Sequence, residues 1–490
     1  MLLGIDIGTQ SLKVLVLDEH LRAAGEASTR YETAYPRRGW AEQDPNAWLR
    51  ALRPTIAAAL EAAACTPDAV SAIGVGGQLD GCVPTDADGK AIGPAIIWMD
   101  RRADDVVATI DRAFVQSRTG LVPDGTHMAA KIAWMQRHQP ALRPATWHQP
   151  VSFVVAALTG ARVMDRALAG TTMLAGLDAA GWDERLCALF DVDPHLLPAI
   201  APAGSVAGDL GTRGAALTGL SPSCLVAVGT GDDFTNPLGS GICTPGIVGA
   251  TLGTGEVVTA LVPDPVLDRG SLVETRWFPT GHYQLGNPGW LSGGAVRWLR
   301  ELLCVDDATI DALAAEVPAG SEGVLFLPGL SGAMSPVWDA NGRASFYGMT
   351  AGHSRGHLAR ALLEGNGFAM RDVVARLAEL GPPIESIRLV GGGSRSALWA
   401  QMRADITGLP VMALSGPDTS ALGAGLLGAV ADGRFAGIAE AVAALPLTFA
   451  SYEPQLEARP CYDDAYGRYR LLFEKLQPAF ASLLPGITSR

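Results

Sequence analysis

Met1-Leu-Leu-Gly-Ile-Asp-Ile-Gly-Thr-Gln-Ser-Leu-Lys13 opens the chain as an apolar run broken by one acid and followed at once by a turn of small residues. The pattern predicts a hairpin over residues 1–18. A strand that carries Asp6 into Gly8-Thr9-Gln10-Ser11 brings backbone N–H groups, two hydroxyls and the basic side chain of Lys13 to one tip. Such donors suit the terminal phosphates of a nucleotide, and the acid suits an attendant magnesium ion. The same residues also read as a plain N-terminal hairpin with an incidental acid, and later segments decide between the two.

The pattern returns near mid-chain. Gly246-Ile-Val-Gly-Ala-Thr-Leu-Gly-Thr-Gly-Glu-Val-Val-Thr-Ala-Leu261 is again strand, glycine-threonine turn and strand. A hairpin that recurs halfway along implies two similar lobes, each with its own sheet, and a small ligand between them. The Gly/Pro-rich stretch 239–246 marks the boundary, dividing residues 1–245 from 246–490. Strand-like and helix-like segments alternate throughout, which predicts an α/β fold. Ala72–Val75 and Pro94–Trp98 read as buried strands, and Ala129–His138 as a helix with Ile132, Trp134 and Met135 on its apolar side.

Three further segments point to phosphoryl transfer. Leu225-Val-Ala-Val-Gly-Thr-Gly-Asp-Asp233 is a strand running into a glycine turn with two consecutive acids. A carboxylate on such a loop could serve as general base for a hydroxyl attacking a γ-phosphate. A helix N-cap is an equally good reading of Asp233. Gly253-Thr254-Gly255 offers close backbone approach and a hydroxyl to phosphate oxygens. Arg388-Leu-Val-Gly-Gly-Gly-Ser394 is a strand opening into Gly391, Gly392 and Gly393 before a helix, where a nucleotide could lie against bare backbone.

Other segments only imitate sites. Gly423-Ala-Gly-Leu-Leu-Gly428 matches a dinucleotide fingerprint but sits inside an alanine-rich helical run. No Walker A sequence is present. His353 and His357 lie four apart with no third ligand evident in the sequence, so they read as surface polar residues. Trp40, Trp48, Trp98, Trp134, Trp298 and Trp399 read as packing rather than as a sugar platform.

Composition sets outer limits. The 490 residues are 48% apolar and 18% charged, ordinary for a folded enzyme and wrong for a disordered chain. A formal charge of −13 argues against a nucleic-acid surface. No apolar run approaches the ~18 residues needed to cross a bilayer, so no membrane partner is expected. Seven scattered cysteines, without a C-x-x-C pair, argue against a disulfide framework or structural zinc, and the expected compartment is the cytoplasm.

In order and spacing, these segments resemble the FGGY carbohydrate kinases and, within that family, the bacterial xylulokinases. The likeness also runs through Trp40-Ala-Glu-Gln-Asp-Pro45, Gly77-Gln78, Trp98-Met-Asp-Arg101, Lys131-Ile-Ala-Trp134, Phe326-Leu-Pro-Gly-Leu-Ser-Gly332, Phe346-Tyr-Gly-Met349, Ala361-Leu-Leu-Glu-Gly365 and Ala421-Leu-Gly-Ala424. The resemblance implies two lobes of the actin/hexokinase-like (ribonuclease H-like) ATPase fold with an interlobe cleft. It further implies ATP- and Mg2+-dependent phosphorylation of a sugar or polyol hydroxyl, and it is compatible with a homodimer. By position, Asp232 falls on the family's catalytic base, Asp6 and Asp232 on its magnesium acids, and Thr9, Gln10, Ser11 and Lys13 on its first phosphate loop. Gly253 and Thr254 fall on the second loop, and Gly391, Gly392 and Gly393 on the adenosine side. Gln78, Leu79, Asp80, Asp100, Asp232 and Asp233 lie along its sugar-contacting positions.

Three departures bear on the acceptor. Leu79-Asp80 stands where xylulokinases have Met-His, and Asp232-Asp233 where an acid-asparagine pair is usual. Ala333-Met334 replaces a polar pair. D-xylulose is the expected acceptor, with another ketose or a polyol (ribulose, xylitol, arabinitol, erythritol) as the alternative. A non-catalytic nucleotide sensor on the same fold is a third reading, against which the retention of a general base argues.

Overall fold

The structure, a computed structural model, describes residues 1–483. Strands β1 (Leu2–Ile7), β2 (Ser11–Leu17), β3 (Ala23–Arg30), β4 (Ala72–Gly77), β5 (Val206–Asp209) and β6 (Leu225–Ala227) form the first sheet in the order β5-β6-β4-β1-β2-β3. β1 is antiparallel to β2 and parallel to β4, so the first hairpin lies in the middle of the sheet and is apolar on both faces. The second sheet is built from β7 (Ile247–Leu252), β8 (Gly255–Val262), β9 (Glu274–Trp277), β10 (Tyr283–Leu291), β11 (Ser386–Val390), β12 (Val411–Leu414) and β13 (Phe449–Tyr452). Its order is β9-β10-β8-β7-β11-β12-β13. Here β7 is antiparallel to β8 and parallel to β11, repeating the relation of β1 to β2 and β4. The recurrence read in the sequence is therefore a recurrence of topology.

Five helices matter to the cleft: α1 (Met128–His138), α2 (Asp232–Gly239), α3 (Arg355–Leu380), α4 (Ala397–Thr407) and α5 (Thr419–Ala431). α5 comes late in the chain, yet it lies against the first sheet. A Cβ at Gly4 would stand 1.8 Å from the Ala421 carbonyl oxygen, and one at Gly74, register partner of Gly4, 1.7 Å from that of Ala424. On another side of α5, a Cβ at Gly423 would meet the Thr235 carbonyl of α2 at 2.0 Å. The glycines that imitate a dinucleotide fingerprint thus let two backbones touch. α2 and α5 pack directly on each other, with α5 lying on the first sheet.

Pro94–Trp98 is the one misjudged strand. Only Ala95–Ile96 pairs, with Glu42–Gln43, and the chain then turns out so that Trp98 is 45% exposed. Trp298 is likewise partly exposed, whereas Trp48, Trp134 and Trp399 are packed as expected.

Candidate active site

The two hairpin turns offer matching donor sets. In the first, Gly8 N–H donates to the Ser11 carbonyl, while the Thr9 and Gln10 amides have no acceptor among the described residues. Tyr31 donates its hydroxyl to the Gly8 carbonyl, Gln43 Nε2 donates to the Thr9 carbonyl at 2.6 Å, and Trp98 Nε1 donates to Thr9 Oγ1 at 2.9 Å. The turn is thus held from behind with its amides outward. In the second, Gly253 N–H closes on the Gly255 carbonyl, the Thr254 amide has no acceptor among the described residues, and Arg297 donates to Thr254 Oγ1 at 3.3 Å. At the end of β11, Gly391 adopts φ +90°, and a Cβ there would stand 2.5 Å from the Leu252 carbonyl oxygen. Gly392 and Gly393 follow in a short 3-10 turn ahead of α4. Free amides, hydroxyls and a side-chain-free turn are the donor chemistry that a nucleoside triphosphate requires.

The acids sit deeper. Asp6 is buried on β1; its Oδ1 accepts from Ser420 at 2.8 Å and its Oδ2 lies 3.4 Å from Lys13 Nζ. Lys13 also donates to Asp418, the N-cap of α5, at 2.6 Å. Burial and the neighbouring Asp418 carboxylate push the Asp6 pKa up to about 6, against the opposing pull of Lys13. Asp232 is not on a loop, as the sequence suggested, but is the first residue of α2. Thr230-Gly231 pairs with Gly76-Gly77 beside β4, and Gly231 caps the helix. Burial, then the Asp233 and Asp6 carboxylates, raise its proton affinity well above a carboxylate's ordinary range. A buried acid and a half-buried one that repel each other, beside free turn amides, fit a magnesium–nucleotide complex, because a divalent cation would relieve that repulsion while keeping most of its waters. A cavity of about 120 Å3 lies between the start of α2 and the second sheet, lined among others by Asp232, Asp233, Thr251, Thr259 and Arg388.

Asp80 and Asp233 are joined by residues that the sequence did not single out. Asp80 holds φ +58°, fixed by Gln149 Oε1 accepting from its amide at 2.8 Å and Lys131 Nζ donating to its carbonyl at 2.5 Å. Its Oδ1 lies 3.3 Å from His127 Nδ1, and Nε2 of that ring lies 3.8 Å from Glu274 Oε1. Glu274 Oε1 accepts from the Val122 amide, and its Oε2 from Arg276 Nη2 at 2.7 Å. Arg276 Nη1 reaches Asp233 Oδ2 at 2.6 Å, and Gln284 donates to the Asp233 carbonyl at 3.0 Å. Glu274 and Arg276 lie on β9, whose Thr275 amide donates to the Gly120 carbonyl, so this edge of the second sheet is tied to the first lobe. Burial opposes charge on His127, but Asp80 and Glu274 override it and carry its pKa up to about 10. Burial would raise Glu274, yet Arg276 and His127 hold it at about 2. Lys131 is pulled down to about 8 by burial, partly offset by Asp80.

Other expected contacts resolve differently. Gln78 is buried and donates to Gln43, while its Oε1 has no partner among the described residues. Leu79 is buried under the base turn, 3.1 Å from where a Gly231 Cβ would be. Asp100 is not free for an acceptor. It is fully buried, and its oxygens take the Ala41 amide, the Arg102 amide and the Arg102 guanidinium, which in turn stacks over Trp40. His353 and His357 do acquire a nearby acid, Glu322, contrary to the sequence reading. Their Nδ1 atoms, however, accept backbone N–H bonds from Thr350 and Ser354. A ring that accepts at Nδ1 keeps its proton on Nε2 and has no lone pair there for a metal.

Models of the FGGY family of carbohydrate kinases match the chain, the N-terminal domain over residues 1–239 and the C-terminal domain over 248–431. A glycerol kinase from Gloeobacter violaceus is 34% identical over 482 residues, 94% of each chain. Among solved structures, a xyloylose kinase from Brucella ovis superposes with a TM-score of 0.91 at 29% identity, covering 97% of this chain and 99% of that one. A xylulose kinase from Rhodospirillum rubrum gives 0.88 at 30%, covering 98% and 99%.

Proposed function

Because the chain belongs to the FGGY family of carbohydrate kinases, we propose that it transfers the γ-phosphoryl group of ATP to a hydroxyl of a five-carbon sugar or polyol, D-xylulose first among them. One observation carries this reading: Asp232 stands half-buried at the head of α2 with a raised proton affinity, beside Asp6 and open to the interlobe cavity.

A sugar hydroxyl is a weak nucleophile near neutral pH, and Asp232 would accept its proton as attack begins. A positioned base contributes roughly 10²–10⁴-fold. Burial and the neighbouring carboxylates make the Asp232 oxygens more basic, which favours that transfer. Bound Mg–ATP supplies the transferable phosphoryl group and neutralises the charge that develops on it. Asp6, and Asp232 beside it, would hold the metal. The amides of Thr9, Gln10 and Thr254, with Lys13, would hold the phosphate oxygens, and Gly391, Gly392 and Gly393 the adenosine side. Closing the lobes on the acceptor keeps water from the base.

The named relatives favour two acceptors. The two solved structures bear xylulose-kinase names, and the curated relative is a glycerol kinase, so glycerol is the second reading. ADP release by purified protein with Mg–ATP across D- and L-xylulose, D- and L-ribulose, xylitol, the arabinitols, erythritol and glycerol tests both. Selective turnover of D-xylulose is expected. Preference for glycerol replaces it with the second reading, and silence on every acceptor refutes the kinase assignment.

A further inference from the structure

The two acids that depart from the xylulokinase pattern, Asp80 and Asp233, are the ends of one chain of alternating charge: Asp80, His127, Glu274, Arg276, Asp233. We propose that His127 and Arg276 are the specificity-setting positioning residues of the acceptor pocket, and that the pocket they hold selects a neutral polyhydroxylated acceptor against a sugar acid. The inference rests on the kinase reading for its reaction and on the chain of charges for its observations.

The supply of donors and acceptors decides the selection. Both terminal nitrogens of Arg276 are taken by carboxylates, and the His127 ring lies between two. Lys131 is fully buried and directed at the Asp80 carbonyl. The buried cations therefore offer a ligand carboxylate little beyond the Arg276 Nε–H, which is buried and without a partner among the described residues. Acceptors are in surplus: a carboxylate offers about four lone-pair sites. Among the described residues Asp80 is engaged only through Oδ1 and Asp233 only through Oδ2. Gln78 Oε1 and Gln284 Oε1 are buried acceptors without a donor in the same set of residues. Hydroxyl groups supply the donors such atoms lack, whereas an aldonate carboxylate would add a further negative charge beside Asp80, Asp233 and Asp232. Without their cations, the first two acids would repel each other and the base. Arg276 and His127 thus hold acidic side chains in a geometry that accepts hydrogen bonds from hydroxyl groups.

Both the selection and the two residues can be tested in the full chain. Thermal shift and calorimetry with xylitol, D-xylulose, glycerol, D-xylonate and D-gluconate read binding without turnover, and ADP release reads the reaction. Wild type is expected to bind the best neutral acceptor about 100-fold or more tightly than either aldonate, because unpaired like charges are strongly penalised across an interface. Arg276→Gln should raise the KM for the acceptor about 100-fold and leave the KM for ATP within about twofold. The double variant Asp233→Asn, Arg276→Gln replaces the ion pair by two amides and should recover at least about tenfold of that loss, a rescue that mere loss of folding does not give. His127→Gln should move acceptor preference in the same direction. Aldonate binding within about tenfold of the neutral acceptor overturns the proposal, as does an Arg276→Gln effect of equal size on both substrates or the absence of rescue. Tight polyol binding with no ADP release sinks the kinase reading while supporting this one.

Discussion

Asp6 is where catalysis and stability pull apart most sharply, so Asp6→Asn gives a signed test. The carboxyl is buried near the end of β1, and its pKa moves from 3.8 to about 6. Because the folded value is the higher one, ionisation costs stability as pH rises from about 4 to 6, and the full cost persists above that. Two units correspond to about 3 kcal/mol. Asparagine removes this cost and can keep the Ser420 hydrogen bond through its carbonyl oxygen. It forfeits the attraction of Lys13, which lies 3.4 Å away with its side chain 39% exposed and retains Asp418. That attraction is already contained in the shifted pKa, and burying the asparagine amide in the carboxyl's place costs about 1 kcal/mol, which leaves a net gain of about 2 kcal/mol at pH 8. For a lobe of this size that is roughly 4–8 °C in the first unfolding transition. Scanning calorimetry from pH 4 to 8, without nucleotide, should show the variant's advantage grow to about pH 6 and then level off. Turnover should fall by at least about 10²-fold, and magnesium–nucleotide should stabilise the variant far less than wild type. An advantage that is absent at pH 8, or that is already complete at pH 4, refutes the argument from burial.

Four other outcomes follow from the geometry. Asp232→Ala should lower kcat by about 10²–10⁴-fold while nucleotide binding by calorimetry persists, and retention of more than about a tenth of wild-type kcat removes Asp232 as the base. Asp80→His should change acceptor KM more than ATP KM, and equal changes in steady-state kinetics take Asp80 out of the acceptor pocket. The folded-state pKa of His127, about 10 against an ordinary 6.5, means that its stabilisation is complete below about pH 6.5 and lost as pH climbs through 10. The stability lead of wild type over His127→Gln in urea titrations should therefore shrink by up to about 1.4 kcal/mol per pH unit across that window. Gly4→Ala would put a methyl group into the Ala421 carbonyl of α5 and should cost about 3 kcal/mol, read as a lowered urea midpoint.

Both sheets were legible because their defining signals are local. An acid inside an apolar strand, a glycine-threonine turn and the return of that unit at Gly246 announce the two hairpins, and the structure places Asp6, Thr9, Thr254 and Gly391 as their spacing implied. What failed was information that no local window holds. The start of α2 at Asp232 depends on Thr230-Gly231 pairing with β4, a contact spanning some 150 residues of chain, so the acid read as a loop residue. Asp100 carries an apparent sugar-site motif, but the guanidinium two residues later takes its oxygens, and only the fold of Arg102 over Trp40 reveals that.

The acceptor side shows most clearly where a single sequence runs out. Asp80 and Asp233 stood out because acids occupy positions where the resemblance leads one to expect a histidine and an asparagine, and Asp233 taken alone is an electrostatic burden on the base. Their partners lie 47 and 43 residues away, one on α1's N-cap and one on the edge of the other lobe's sheet. No periodicity or motif links His127 to Asp80, or Arg276 to Asp233. The link exists because β9 crosses to the first lobe and carries Glu274 and Arg276 with it. The two departures therefore stand or fall together: reverting Asp233 alone to asparagine would leave Arg276 half-paired and buried. Acceptor preference on this scaffold should change through paired substitutions across the chain of charges, whereas single reversions should mainly lose activity.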